Sequence, residues 1–157
     1  MDLSKLSTSD KLILGGGIGF VIFVFFPWFG LSGGSNNGTH YFLFGIIPLL
    51  LIAATAVVVG IQTFAPDTKL PDLPVPWGTA MLIASGLGTA LVLLKLAIGD
   101  SVSFGVAGFG SGTVDLDRKF GIFLALIAAA VVTVGAFQKF QAKDSGGSAP
   151  SGPPTAF

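Results

Sequence analysis

Four long apolar stretches constrain this chain more than any other feature. They lie at Leu12–Phe29, within Tyr41–Phe64, within Trp77–Ile98 and within Phe120–Phe140. Each reaches the roughly 17–25 residues that a helix needs to cross a bilayer core. At about 1.5 Å per residue, even the shortest predicts a helix about 27 Å long. In lipid every backbone amide has to be satisfied inside its own segment, so helices are expected. Period-two alternation is missing from the runs, which disfavours a transmembrane barrel. The expected fold is therefore all-α and integral to a membrane. It comprises a four-transmembrane-helix bundle over residues 1–143 and a flexible Gly/Ser/Pro-rich tail over 144–157.

Composition supports lipid as the solvent. Charged residues make up 10% of the chain and hydrophobic ones 52%, with a mean hydropathy of +0.85. A soluble domain ordinarily carries about 25% charged residues. The formal net charge is zero, which leaves no electrostatic footprint for nucleic acid. There is no cysteine, so disulfides, thiolate metal sites and cysteine nucleophiles are excluded.

Orientation follows from the basic residues. Lys5, Lys11, Lys69, Lys139 and Lys143 fall on one side of the four runs, whereas the other side has only Arg118 and Lys119, beside Asp115 and Asp117. The positive-inside rule then places both termini in the cytoplasm, with the four runs in a plasma (inner) membrane. The first run exceeds the 7–15 apolar residues of a signal peptide and lacks a small-x-small cleavage site, so a retained signal anchor is expected.

The breakers give finer expectations. Pro48 should kink the second helix or mark its true start, leaving Phe42–Ile47 as an irregular lead-in. Pro66, Pro71, Pro74 and Pro76 predict a stiff, extended strap, with Pro76 at the start of the third helix. In the second outer loop Val102, Phe104 and Val106 alternate before a glycine-punctuated stretch, which suggests a small hairpin or a compact loop over the bundle. Its apolar side chains need cover from the bundle, a sister subunit or a partner. Asp117 is expected to cap the fourth helix. Asn37-Gly38-Thr39 matches a glycosylation acceptor, a pattern without meaning in most bacterial proteins.

Few residues suggest chemistry. Lys139 falls at the very edge of the fourth run, which leaves Lys95 as the one ionisable candidate inside the membrane. Its position near the outer end of the third helix suits snorkelling with help from Asp100, and an ion-pathway role is the alternative. His40, the single histidine, is a weak candidate for one axial ligand to a haem or pigment. No Ser-His-Asp set or phosphate-binding loop is apparent, and "GGGIG" lies inside an apolar run. No enzyme activity, metal or cofactor is expected.

Packing signals are more numerous. Gly15 and Gly19 on the first helix, Ala56 and Gly60 on the second, and Ala80, Ala84 and Gly88 on the third are spaced four apart. Gly121, Ala125, Ala129 and Thr133 repeat the pattern on the fourth. Small residues at this spacing allow close helix approach in lipid. Phe20, Phe23 and Phe26 crowd the end of the first helix and, with Phe104 and Phe109 of the outer loop, are candidate partner contacts. Trp28 and Trp77 suit interfacial anchors on opposite faces of the bilayer, with Pro27 ending the first helix in its last turn.

The run "FVFFPWFGLSGG", with Phe26-Pro27-Trp28-Phe29 at its centre and three further spans behind it, resembles small uncharacterised four-transmembrane-helix proteins of actinobacterial type. That resemblance implies topology and carries no catalytic residue. Claudin-like tetraspans share the helix count but have paired loop cysteines, which this chain lacks. The expected function is that of a small membrane accessory, assembly or scaffold subunit. It would sit in the lipid bilayer and pack against a larger membrane complex or as a homo-oligomer. A transport or channel component is the alternative, and a haem- or pigment-binding subunit through His40 a weaker one.

Overall fold

The computed structural model describes residues 3–146. Four α-helices dominate it: α1 (Thr8–Phe23), α2 (Ile47–Phe64), α3 (Trp77–Ile98) and α4 (Phe120–Gly146). They pack in the cyclic order α1–α2–α3–α4, with α4 returning to α1. Three helical stretches are long and apolar enough to cross a membrane, Phe42–Phe64, Trp77–Ile98 and Phe120–Ala142. These make the chain a multi-pass membrane protein by length and composition. The first helix is shorter than expected: its 16 residues reach only about 24 Å.

The reason lies at Pro27. Its ring bars Phe26 from comfortable helical geometry and removes a donor, so the helix closes with Phe25 and Phe26 N–H groups bonded to Ile22 and Phe23 carbonyls. Pro27 does not sit in the last helical turn; it opens strand β1 (Pro27–Leu31). A tight turn at Ser32-Gly33, with Gly33 at φ 145°, leads into antiparallel β2 (Gly34–Asn37). Two further strands, β3 (Ser101–Val106) and β4 (Gly110–Asp115), form a separate hairpin. A short β5 (Asp117–Arg118) then pairs with β1, giving sheet order β2-β1-β5. The all-α expectation is therefore corrected. Once the chain leaves the helices, the connecting segments satisfy their amides by pairing with each other.

Several finer expectations are met. Pro48 lies in the first turn of α2, preceded by a π-helical turn over Phe42–Ile46. The chain between α2 and α3 is free of helix and strand and largely exposed, with a turn closed by Thr68 N–H on Ala65 O, and Pro76 stands at the N-cap of α3. The expected hairpin between α3 and α4 exists, but both its strands are exposed instead of covering the helices. Asp117 does not cap α4; it lies in β5, opposite Gly30. Helix α4 runs to Gly146, so residues 144–146 of the expected tail are helical. Residues 147–157 of that tail lie outside the described residues.

The core follows the helix seams. Ile13 and Phe20 of α1, with Val24 just past its end, meet Ile52 and Val59 of α2, Met81 and Val92 of α3, and Ile122, Ala125, Ala129 and Val132 of α4. Polar hydroxyls within the helices are satisfied locally. Thr55 donates to Leu51 O, Ser85 to Met81 O and Thr133 to Ala129 O. Thr89 and Thr133 share a hydrogen bond at 2.8 Å between α3 and α4. At the end opposite the strands, Ser7 and Asp10 form a capping box on α1. There Lys139 near the end of α4 pairs with the buried Asp10. The start of α1 and the last turns of α4 are thus tied at one end of the helical layer.

The glycine seam is displaced by one residue from its expected place. Gly15 faces open space, because the inward stripe of α1 runs through Ile13, Gly16, Gly17 and Phe20. A Cβ on Gly16 would meet Val132 Cγ2 at 2.8 Å and Ala128 O at 2.9 Å, and one on Gly17 would meet Ala56 Cβ at 2.7 Å. Gly19 is only in ordinary contact with Phe23 and Ala128. Gly88 meets Ile52 on α2, Gly60 touches Leu14, Gly121 abuts Phe26 and Pro27, and Ala125 and Ala129 are fully buried. Ala80 and Ala84 line the α2/α3 groove beside Trp77.

Candidate functional site: a charged cluster beneath the outer strands

Lys95 stands in the last turn of α3, where its charge favours the negative end of the helix dipole. Gly99 ends the helix at φ 79° and donates its N–H to Lys95 O at 2.9 Å. This left-handed residue turns the chain back on itself, a conformation that a side chain would strain. The turn brings two acceptors to the Lys95 ammonium: Gly99 O at 2.9 Å and Asp100 Oδ1 at 3.1 Å. Tyr41, from the lead-in to α2, donates its hydroxyl to the other carboxylate oxygen, Asp100 Oδ2, at 2.5 Å. Both oxygens of Asp100 are therefore engaged.

Aromatic rings enclose the ammonium. Lys95 Nζ lies 4.2 Å from the Tyr41 ring centroid, 5.2 Å from that of Phe29 and 5.9 Å from that of Phe44. All fall within the range of cation–π attraction. Trp28 stacks on Tyr41 at 6.4 Å, and Phe29 meets it edge-on at 5.8 Å. The indole N–H of Trp28 donates to Phe23 O at 3.1 Å, which removes its need for an interfacial partner. Trp28 is thus fully buried rather than an interfacial anchor. The physical cause is β1, which carries Trp28 and Phe29 back over the ends of the helices.

Arg118 reinforces the same helix end. Its Nε donates to Leu96 O at 2.8 Å and its terminal nitrogen to Ala97 O at 3.4 Å. Leu116 N–H donates to Asp100 O, and Lys119 N–H to Trp28 O, each at 2.8 Å. Between these contacts lies a cavity of about 310 Å³, lined in part by Lys95, Asp100, Asp115 and Arg118. Its two cations face two carboxylates, so the lining is balanced in charge. Burial pushes the Asp100 carboxyl up, but hydrogen bonds from Tyr41 and Lys95 and the Lys95 charge outweigh it. The carboxyl is held below its usual value.

Chemically, the cluster works as a clamp. The ammonium of Lys95 is neutralised within its own helix end, and Tyr41 couples that end to α2 and β1. The expected Lys95–Asp100 association is present, though under a roof of aromatic rings. Tyr41, Phe29 and Phe44 were not legible as site residues, since Tyr41 and Asp100 are 59 positions apart. The single tyrosine directly before a membrane run is the one signal that could have drawn attention to it.

Other expected residues lie elsewhere. His40 is exposed and touches Tyr41 edge-on at 5.3 Å. Phe20 is fully buried in the core and unavailable to a partner, because it falls on the same inward stripe as Gly16 and Gly17. Phe23 and Phe26 are half-buried in an edge-to-face row that continues to Phe120. Phe104 and Phe109 are exposed on the hairpin, Phe109 at 91%. Trp77 is half-buried at the start of α3. Among the described residues, no group of three His, Cys, Asp or Glu is placed to hold a metal ion. Comparison with protein-family models, curated proteins and solved structures gives no match.

Proposed function

We propose that this chain is a small integral-membrane accessory or scaffold subunit that packs against a larger membrane complex or a second copy of itself. All four helices lie in a bacterial inner membrane, α1 as a short span, with both termini cytoplasmic. The placement of α1 is supported by its outward residues Ile18, Val21 and Ile22, which are apolar and exposed. The five-to-two bias of basic residues supports the orientation. The likeness to small actinobacterial four-span proteins belongs to the same proposal.

The observation that carries the scaffold role is a groove between α1 and α2. It is wholly apolar, encloses about 250 Å³, has Gly17, Ala53 and Ala56 among its lining and is flanked by exposed Ile18, Ile22 and Val57. Small residues beneath larger apolar flanks are what a neighbouring helix needs to approach closely in lipid. Purification from native membranes in mild detergent tests this. The wild-type chain should migrate with a partner or as an oligomer, and Ala53→Phe, which fills the groove, should lose it. A monodisperse wild-type monomer would contradict the proposal.

A further inference from the structure

The β3–β4 hairpin is amphipathic in a way its register makes plain. Val102 pairs with Val114, Phe104 with Gly112, and Val106 with Gly110. Side chains of successive residues alternate between faces, so Val102, Phe104, Val106 and Val114 share one face. Ser101, Ser103, Ser111, Thr113 and Asp115 share the other. Every residue of both strands except Gly112 is exposed, and Phe109 at the turn is the most exposed large apolar residue of those described. A two-stranded hairpin with an open apolar face is marginal in water, so this face requires an occupant.

Three observations select the bilayer surface as that occupant. The hairpin leaves one membrane-length helix at Ile98 and rejoins the next at Phe120, so its base is fixed where both helices end. No charged residue occurs from Ser101 to Val114, whereas Asp100, Asp115, Asp117, Arg118 and Lys119 gather at the base. The glycines opposite Phe104 and Val106 leave the apolar face low, with Phe104 lying over Gly112. An uncharged amphipathic element beside a membrane exit buries its apolar side in the boundary between headgroups and acyl chains.

We infer that the β3–β4 hairpin is an interfacial foot: Val102 at its base borders a cavity against the β1–β2 hairpin, while Phe104, Val106 and Phe109 towards its tip rest on the outer lipid surface and the serine-rich face is presented to water. This rests on the helices lying in the membrane. The absence of cysteine from the chain makes single-site nitroxide labelling clean. Labels are placed at Phe109→Cys, Ser103→Cys and, as a reference on the exposed face of α2, Leu50→Cys, in phosphatidylcholine nanodiscs. Collision with oxygen and with a water-soluble nickel chelate is then measured. The foot predicts that labels 109 and 50 favour oxygen and meet the nickel chelate several-fold less often than label 103. Equal nickel access at 109 and 103, with 50 still in lipid, overturns the foot alone. Nickel access at 50 overturns the membrane placement itself. Protection of 109 from both reagents, with or without spin–spin broadening, assigns the face to protein and also overturns the inference.

Discussion

Replacing Asp100 by Asn leaves the Lys95 ammonium buried with one full partner, Gly99 O, and weakens the acceptor of the Tyr41 hydroxyl. The side chains of Lys95 and Asp100 are 8% and 23% exposed. Breaking a buried pair by removing one partner costs about 3–5 kcal/mol. Water reaches part of the Asp100 site, which lowers the expected cost to about 2–4 kcal/mol. For a chain of this size that corresponds to a fall in melting temperature of about 5–15 °C. Lys95→Met removes the buried charge itself and leaves Asp100 with Tyr41 and water, so about 0–2 kcal/mol is expected. The double variant should melt above Asp100→Asn alone. Thermal unfolding in detergent micelles, followed by tryptophan fluorescence, reads all three. The clamp is refuted if Asp100→Asn melts with the wild type, or if the double variant melts lowest.

The same pair sets an acid limit. A carboxyl whose folded-state pKa lies below its unfolded value contributes stability that is complete above the unfolded pKa and is lost as pH falls through the lower folded one. The gap between wild type and Asp100→Asn should therefore be constant near neutrality and close below about pH 4; a gap that widened in acid would contradict the sign. On α1, Gly16→Ala should destabilise by about 1–3 kcal/mol against the Val132 and Ala128 contacts. Gly15→Ala, facing open space, should be neutral or gain about 0.5–1 kcal/mol from helix propensity. Unfolding in graded denaturing detergent separates the two. Lys139→Met should destabilise through the buried Asp10, and its effect should add to that of Asp100→Asn within about 0.5 kcal/mol, since the two pairs lie at opposite ends. A double-mutant cycle checks it.

The helices were legible because lipid-length apolar runs leave a backbone one solution, and α3 begins and ends where its sequence predicts. Pro48 and the proline strap were legible for an equally local reason, the missing amide. The strands were not. Whether "PWFGL" continues a helix or pairs with "DR" eighty-odd residues later depends on partners that no local pattern names. Once β1 forms, Trp28 passes from an apparent interfacial anchor to a buried ring, and Phe29 moves over Lys95. The glycine seam fell one residue off because the one four-residue glycine step in "GGGIG" is Gly15 to Gly19, whereas the neighbouring helices pack on the adjacent Gly16 and Gly17. Lys95 and Asp100 were within reach of the sequence because they are five apart. Tyr41, which joins them to the rest of the protein, was not.

Hydrogen exchange of the chain in lipid nanodiscs tests most directly whether the Lys95–Asp100–Tyr41 cluster locks the outer strands onto the helices. The amides of Leu116, Lys119 and Gly38 bond to Asp100, Trp28 and Val24 carbonyls and bridge the two layers. In Asp100→Asn these amides should exchange markedly faster than in the wild type, while those of Ala125 to Val132 keep their protection. Unchanged exchange at the three bridging amides, or a uniform loss across α4, would contradict the lock.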